Sequence, residues 1–150
     1  MVRILMASPT EKTNIMKFNH LSFPSSDVRA TADFFVQHLG CSLEFISPAA
    51  AMLKRAGFDI VIEAKDHTVT WPHNFHLGFE LPSVEAVSEL YQHLQTQGVS
   101  MKTGMFHHER GSRFFCEAPG GLLFEMNTRA DAHAQYRASF ERQALADAVK

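Results

Sequence analysis

His20-Leu21-Ser22-Phe23 returns 56 residues later as His76-Leu77-Gly78-Phe79, and the same interval carries Val28 onto Val84 and Ala30 onto Ala86. Ala56-x-x-x-Ile-Val-Ile-Glu63 matches Ala118-x-x-x-Leu-Leu-Phe-Glu125 at an interval of 62 residues, the extra six falling in loops around 104–111. Around each histidine the residues alternate as in a half-buried strand. Asn19, Leu21 and Phe23 face one way and Phe18, His20 and Ser22 the other; Phe75, Leu77 and Phe79 then oppose His76, Gly78 and Glu80. Each strand runs into a turn with N-cap candidates, Pro24-Ser25-Ser26-Asp27 and Leu81-Pro82-Ser83. Apolar stripes at helical spacing follow, through Val28, Ala32, Phe35 and Leu39, then through Val84, Val87, Leu90, Tyr91 and Leu94, with Gly40 and Gly98 placed to end them.

Three strands fit behind each helix, at 42–46, 51–55 and 58–64, and at 100–103, 112–117 and 122–127. The chain therefore reads as a duplication of one unit, strand, helix and three strands. The expected class is α+β, with two paired βαβββ modules whose curled mixed sheet forms a metal-binding cup. Residues 1–15 read as an N-terminal extension with an alternative start at Met16. A single domain spans 16–128, with modules over 16–66 and 74–128, and residues 129–150 form a C-terminal helix. That segment has no Gly or Pro, and its Tyr136, Phe140 and Leu145 share a face that packs on the domain or on a partner subunit.

Glu125 poses a chemical question. It follows Leu122, Leu123 and Phe124 in a strand that reads as buried, and an unpaired buried carboxylate is costly. Both histidines, like both glutamates, point away from their core-type neighbours, so His20, Glu63, His76 and Glu125 can line one face. Two imidazoles and two carboxylates converging there make a site for a divalent cation, which keeps a carboxylate ionised without solvent. Coordination positions left open would accept a substrate's oxygens. Glu80 shares the face of His76, but its counterpart is Pro24, so it is not expected as a ligand. His67, His73, His107 and His108 fall in loops and read as solvated, Arg110 and Arg113 as surface residues able to clamp an anion, and Cys116 as a small buried side chain.

The stretches NHLSFPSSDVRATADFFVQHLG, FHLGFELPSVEAVSELYQHLQTQG and FFCEAPGGLLFEMN resemble the vicinal-oxygen-chelate superfamily, which includes glyoxalase I, bleomycin-resistance proteins, extradiol dioxygenases and fosfomycin-modifying thiol transferases. The resemblance, over residues 17–127, implies one divalent metal ion (Zn, Ni, Co, Mn or Fe(II)) on His20, Glu63, His76 and Glu125. It implies a glyoxalase-like lyase or isomerase, with Glu125 or Glu63 moving a proton beside a metal-chelated carbonyl. The alternatives are a dioxygenase or thiol transferase using His20, His76 and Glu125 only, or a non-catalytic drug-binding protein. Pro24 stands where glyoxalase I carries a glutathione-gripping arginine, and Lys65-Asp66-His67 where it tends to carry an asparagine; both count against glutathione. Homodimers are common in the superfamily, and in some members each site draws on two chains.

Composition narrows the classes. The chain has 150 residues, 45% hydrophobic and 20% charged, enough for one real core. A net charge of −2 without a basic stripe argues against nucleic acid as a partner. The apolar runs are too short to span a bilayer, so neither a membrane nor an export signal is expected. Two cysteines, Cys41 and Cys116, are expected as free thiols in a reducing cytoplasm, and the partner as a small-molecule substrate.

Overall fold

The computed structural model of the chain describes residues 17–148; the expectations for residues 1–15 and for Met16 lie outside the described residues, as does the placement of the Leu145 side chain. The first module runs β1 (His20–Ser25), α1 (Val28–His38), β2 (Ser42–Ile46), β3 (Ala50–Arg55) and β4 (Phe58–Ala64). The second runs β5 (His76–Glu80), α2 (Val84–Thr96), β6 (Ser100–Met101), β7 (Arg113–Glu117) and β8 (Leu123–Asn127), followed by α3 (Ala134–Ala148). Each module builds a four-stranded mixed sheet, as the duplication predicts, and the strand orders are β1-β4-β3-β2 and β5-β8-β7-β6. β1 and β5 pair in parallel with the last strand of their own module and form its edge among the described residues. Pro24 is tolerated inside β1 because an edge strand can forgo one donor.

The helices start where their caps dictate. Asp27 accepts from Ala30 N at 2.9 Å and Ser83 from Ala86 N at 3.0 Å, each satisfying a first-turn donor. The helix faces of both sheets share one core. Phe35 of α1 packs on Phe23 (5.7 Å between ring centroids) and edge-on to Phe124 of β8 (5.4 Å), joining the modules. Truncating a fully buried phenylalanine such as Phe124 costs about 3–5 kcal/mol. A polar lock reinforces the seam: Thr31 Oγ1 donates to Pro119 O at 2.7 Å and lies 2.8 Å from Ser25 Oγ. Gly120 belongs there because a Cβ would come 2.6 Å from Ser25 Oγ, at a φ of +94°. Cys41 and Cys116 are buried free thiols.

Because the modules meet through their helix faces, the opposite faces of the sheets lie outside the shared core. On β8 the core takes Phe124 and Met126, and Glu125 faces the other way. Among the described residues no helix is long and apolar enough to cross a membrane.

Candidate functional site

Register decides which side chains meet. Gly78 lies opposite Glu125 in the β5/β8 ladder, and His76 opposite Leu123. His76 is therefore diagonal to Glu125 on the same face, and its Nε2 lies 3.3 Å from Glu125 Oε2. The other oxygen, Oε1, takes Arg113 Nη1 at 3.1 Å and accepts from Asn127 Nδ2 at 2.9 Å. The Arg113 and Glu125 side chains are only 12% and 11% exposed. Arg113 thus supplies much of the answer to the buried carboxylate, and it is not the surface residue the sequence suggests. Its position was readable as far as the face: Arg113 pairs with Asn127 and Phe115 with Glu125 across β7/β8. That its side chain folds back onto Glu125 was not.

The tautomer of His76 follows from its other nitrogen. Nδ1 lies 2.7 Å from Asn74 O, a carbonyl that can only accept, so Nδ1 carries the proton. The Nε2 lone pair then faces a carboxylate oxygen, and the two repel unless a cation, a proton or a metal ion, lies between them. Two ligand atoms on adjacent corners of an ion with bonds near 2.1 Å sit about 3 Å apart. A backbone carbonyl on the far nitrogen is also the usual outer partner of a metal-bound histidine. His76 and Glu125 therefore fit two corners of a metal site. Among the described residues no group of three His, Cys, Asp or Glu side chains could hold an ion.

His20 and Glu63 are not brought to this pair, nor to each other. His20 stands opposite Asp59 and Glu63 opposite Pro24. Four residues of β4 separate those positions, about 13 Å at 3.3 Å per residue. The ladders also correct the match at an interval of 62. Asp59 corresponds to Leu123, so the counterpart of Glu125 is Val61, and that of Glu63 is Asn127. The β7–β8 hairpin carries one residue more than the β3–β4 hairpin, since Glu117 pairs with Leu123 where Lys54 pairs with Asp59. His20 nevertheless repeats the tautomer of His76, because its Nδ1 lies 2.7 Å from Asn19 Oδ1, and among the described residues its Nε2 has no partner.

A cleft of about 410 Å³ opens over the pair, lined by His76, Gly78, Arg110, Arg113, Glu125, Asn127, Arg129 and Phe140. The loop carrying Arg110 is tied down. Asp131 takes Ser112 N at 2.9 Å and Ser112 Oγ at 2.6 Å, and lies 3.0 Å from His107 Nδ1. Burial pushes the Asp131 carboxyl up, but these bonds outweigh it and hold it below its ordinary range. Gly111 (φ +113°) presses on the Thr128 carbonyl, where any Cβ would collide. His67, His73, His107 and His108 are exposed, as expected of loop histidines.

With this geometry in place, the comparisons decide the family. The profile of the Glyoxalase/Bleomycin resistance protein/Dioxygenase superfamily matches residues 17–126. The chain belongs to this superfamily. Its members generally use a divalent metal. Among solved structures, a possible glyoxalase from Bacillus cereus is 27% identical, covering 75% of this chain and 98% of that one, with a TM-score of 0.66. A glyoxalase/bleomycin resistance protein/dioxygenase from Alicyclobacillus acidocaldarius is 23% identical over 77% and 92% of the two chains, with a TM-score of 0.62. A genomically encoded fosfomycin resistance protein from Listeria monocytogenes shares the fold at 19% identity and a TM-score of 0.67, over 81% and 98%. No curated protein matches the sequence.

Proposed function

We propose that the chain is one subunit of a divalent-metal enzyme acting on a small molecule with two adjacent oxygens. His76 and Glu125 of one copy and His20 of a second copy would hold the metal. The observation that carries this reading is His76 Nε2 lying 3.3 Å from Glu125 Oε2 on one sheet face, with Nδ1 turned to Asn74 O. His20 supports it with the same tautomer, on a sheet face that none of the described residues of its own chain completes. A divalent ion bound there supplies a Lewis acid for the substrate oxygens. Arg113 and Asn127 orient the carboxylate by holding Oε1, which leaves Oε2 toward His76.

Three donors rather than four is the set this register favours. Val61, not Glu63, occupies the position matching Glu125, and Glu125 is too firmly held to serve readily as a mobile base. That favours the transferase and dioxygenase branches over a glutamate-shuttling lyase. The test is metal content after purification without an affinity tag. Wild type and Glu63→Ala should carry close to one ion per site, and Glu125→Ala should lose it. Loss in Glu63→Ala would restore the four-donor lyase. A wild type that takes up none of Ni, Zn, Mn or Fe(II) would remove the enzyme reading altogether.

A further inference from the structure

The cleft above His76 and Glu125 holds more positive charge than its own carboxylate uses. Glu125 is engaged by Arg113 and Asn127, yet Arg110 and Arg129 line the same 410 Å³ space. Among the described residues Arg110 has no carboxylate within 4.0 Å, and Arg129 reaches only the half-exposed Glu80, which lies outside this cleft, at 3.8 Å. Both guanidiniums rest on one ring: Arg129 Cζ lies 4.0 Å and Arg110 Cζ 5.1 Å from the centre of Phe140. The separation of the two carbons therefore cannot exceed the sum of those two distances, about 9 Å. An oxyanion gripped by two guanidiniums holds their carbons about 7–8 Å apart, so one bridging anion fits within that limit.

The support behind the arginines is built in. Arg110 also lies over Tyr136 (5.3 Å), and its loop is fastened to the start of α3 by His133 N donating to Glu109 O at 2.8 Å and by the bonds to Asp131. Phe140 comes from α3, so the C-terminal helix forms a wall of the site. On the floor, Gly78 faces the cleft between His76 and Glu80 and takes no left-handed backbone angle. A Cβ there would meet Asn127 Nδ2 at 3.6 Å, ordinary contact, so the missing side chain serves space in the cleft rather than the strand.

The geometry points to a substrate that is a small organic oxyanion, whose carboxylate, phosphate or phosphonate group is clamped between Arg110 and Arg129 beside Phe140. This substrate class rests on the reading of His76 and Glu125 as the reacting centre, but the clamp can be tested without a metal. Inorganic phosphate is titrated into metal-free protein at constant ionic strength, by calorimetry and by its effect on Tm. Wild type should bind phosphate, Arg110→Gln and Arg129→Gln should each weaken binding tenfold or more, and Arg110→Lys should recover part of it. Arg137→Gln, on the neighbouring surface and outside this cleft, should bind as wild type does. Circular dichroism confirms that each variant is folded. Absence of binding by wild type, or equal weakening by Arg137→Gln, overturns the clamp while leaving the metal reading intact. Phosphate binding in a protein that takes up no metal leaves the clamp standing and overturns the reaction assigned beside it.

Discussion

Replacing Arg113 by leucine should unmask what Glu125 costs. Both side chains are about nine-tenths covered, and the substitution removes the 3.1 Å ion pair together with the 3.1 Å bond from Arg113 Nε to Gly111 O. Breaking a buried pair by deleting one partner costs about 3–5 kcal/mol, because a charge is left buried without its counterion. Glu125 keeps the bond from Asn127, and its edge touches water, so the expected loss is nearer 2–3 kcal/mol. With a urea slope of about 2 kcal/mol/M, the midpoint should fall by about 1–1.5 M. Trp71, the single tryptophan, stacks on Phe75 and donates to Gly120 O at 3.2 Å, so its fluorescence reports the seam between modules. The measurement uses metal-free protein. Arg113→Leu combined with Glu125→Leu should regain most of the loss, since two apolar side chains then replace the pair. A single variant within about 0.5 kcal/mol of wild type, or a double variant as unstable as the two singles added, would refute the argument.

Two further predictions follow from buried titrating groups. Among the described residues the buried Nδ1 of His38 has no partner, and its ring lies 6.2 Å from that of His93; burial first, and His93 second, push its pKa below the ordinary 6.5. A depressed histidine contributes stability that is present above about pH 6.5 and lost as pH falls through its folded value. Wild type should therefore lose stability on acidification below pH 6.5 more steeply than His38→Leu, measured by urea midpoints; equal slopes would contradict the assignment. Cys116 is fully buried and its thiol is pushed up to about 11 by desolvation, while the buried Cys41 is also raised. A thiol reagent at pH 8 should find no reactive cysteine in the native protein and two after unfolding, and a fast native reaction would refute this.

The duplication was legible because its signals are local. Alternation around His20 and His76, the caps Asp27 and Ser83 and the outward turn of Glu125 each depend on a few neighbouring residues, and the structure reproduces them. Register was less legible. Matching Glu63 to Glu125 by residue identity aligned a tight β3–β4 turn with a longer β7–β8 loop, and hydrogen bonding across the ladder places the match at Val61 instead. Arg113 was misread for a related reason. Pattern gives the face of a residue, but not where a long flexible side chain ends. The sequence also could not show that Phe34 and Phe35 of α1 would pack on Phe124, which turns the helix faces of the modules toward each other. That packing keeps His20 and His76 off the shared core, and the proposed site therefore draws on a second copy.

The most direct test of that shared site mixes two defective variants. His20→Ala and His76→Ala should each fail to hold metal alone. Mixed under exchange, they form dimers in which one site combines the intact His76 and Glu125 of one chain with the intact His20 of the other. Random pairing then restores about a quarter of the wild-type metal content. Recovery near that level supports a site built from two chains. A mixture that exchanges subunits yet stays empty would contradict it, and so would His20→Ala protein that holds metal as wild type does.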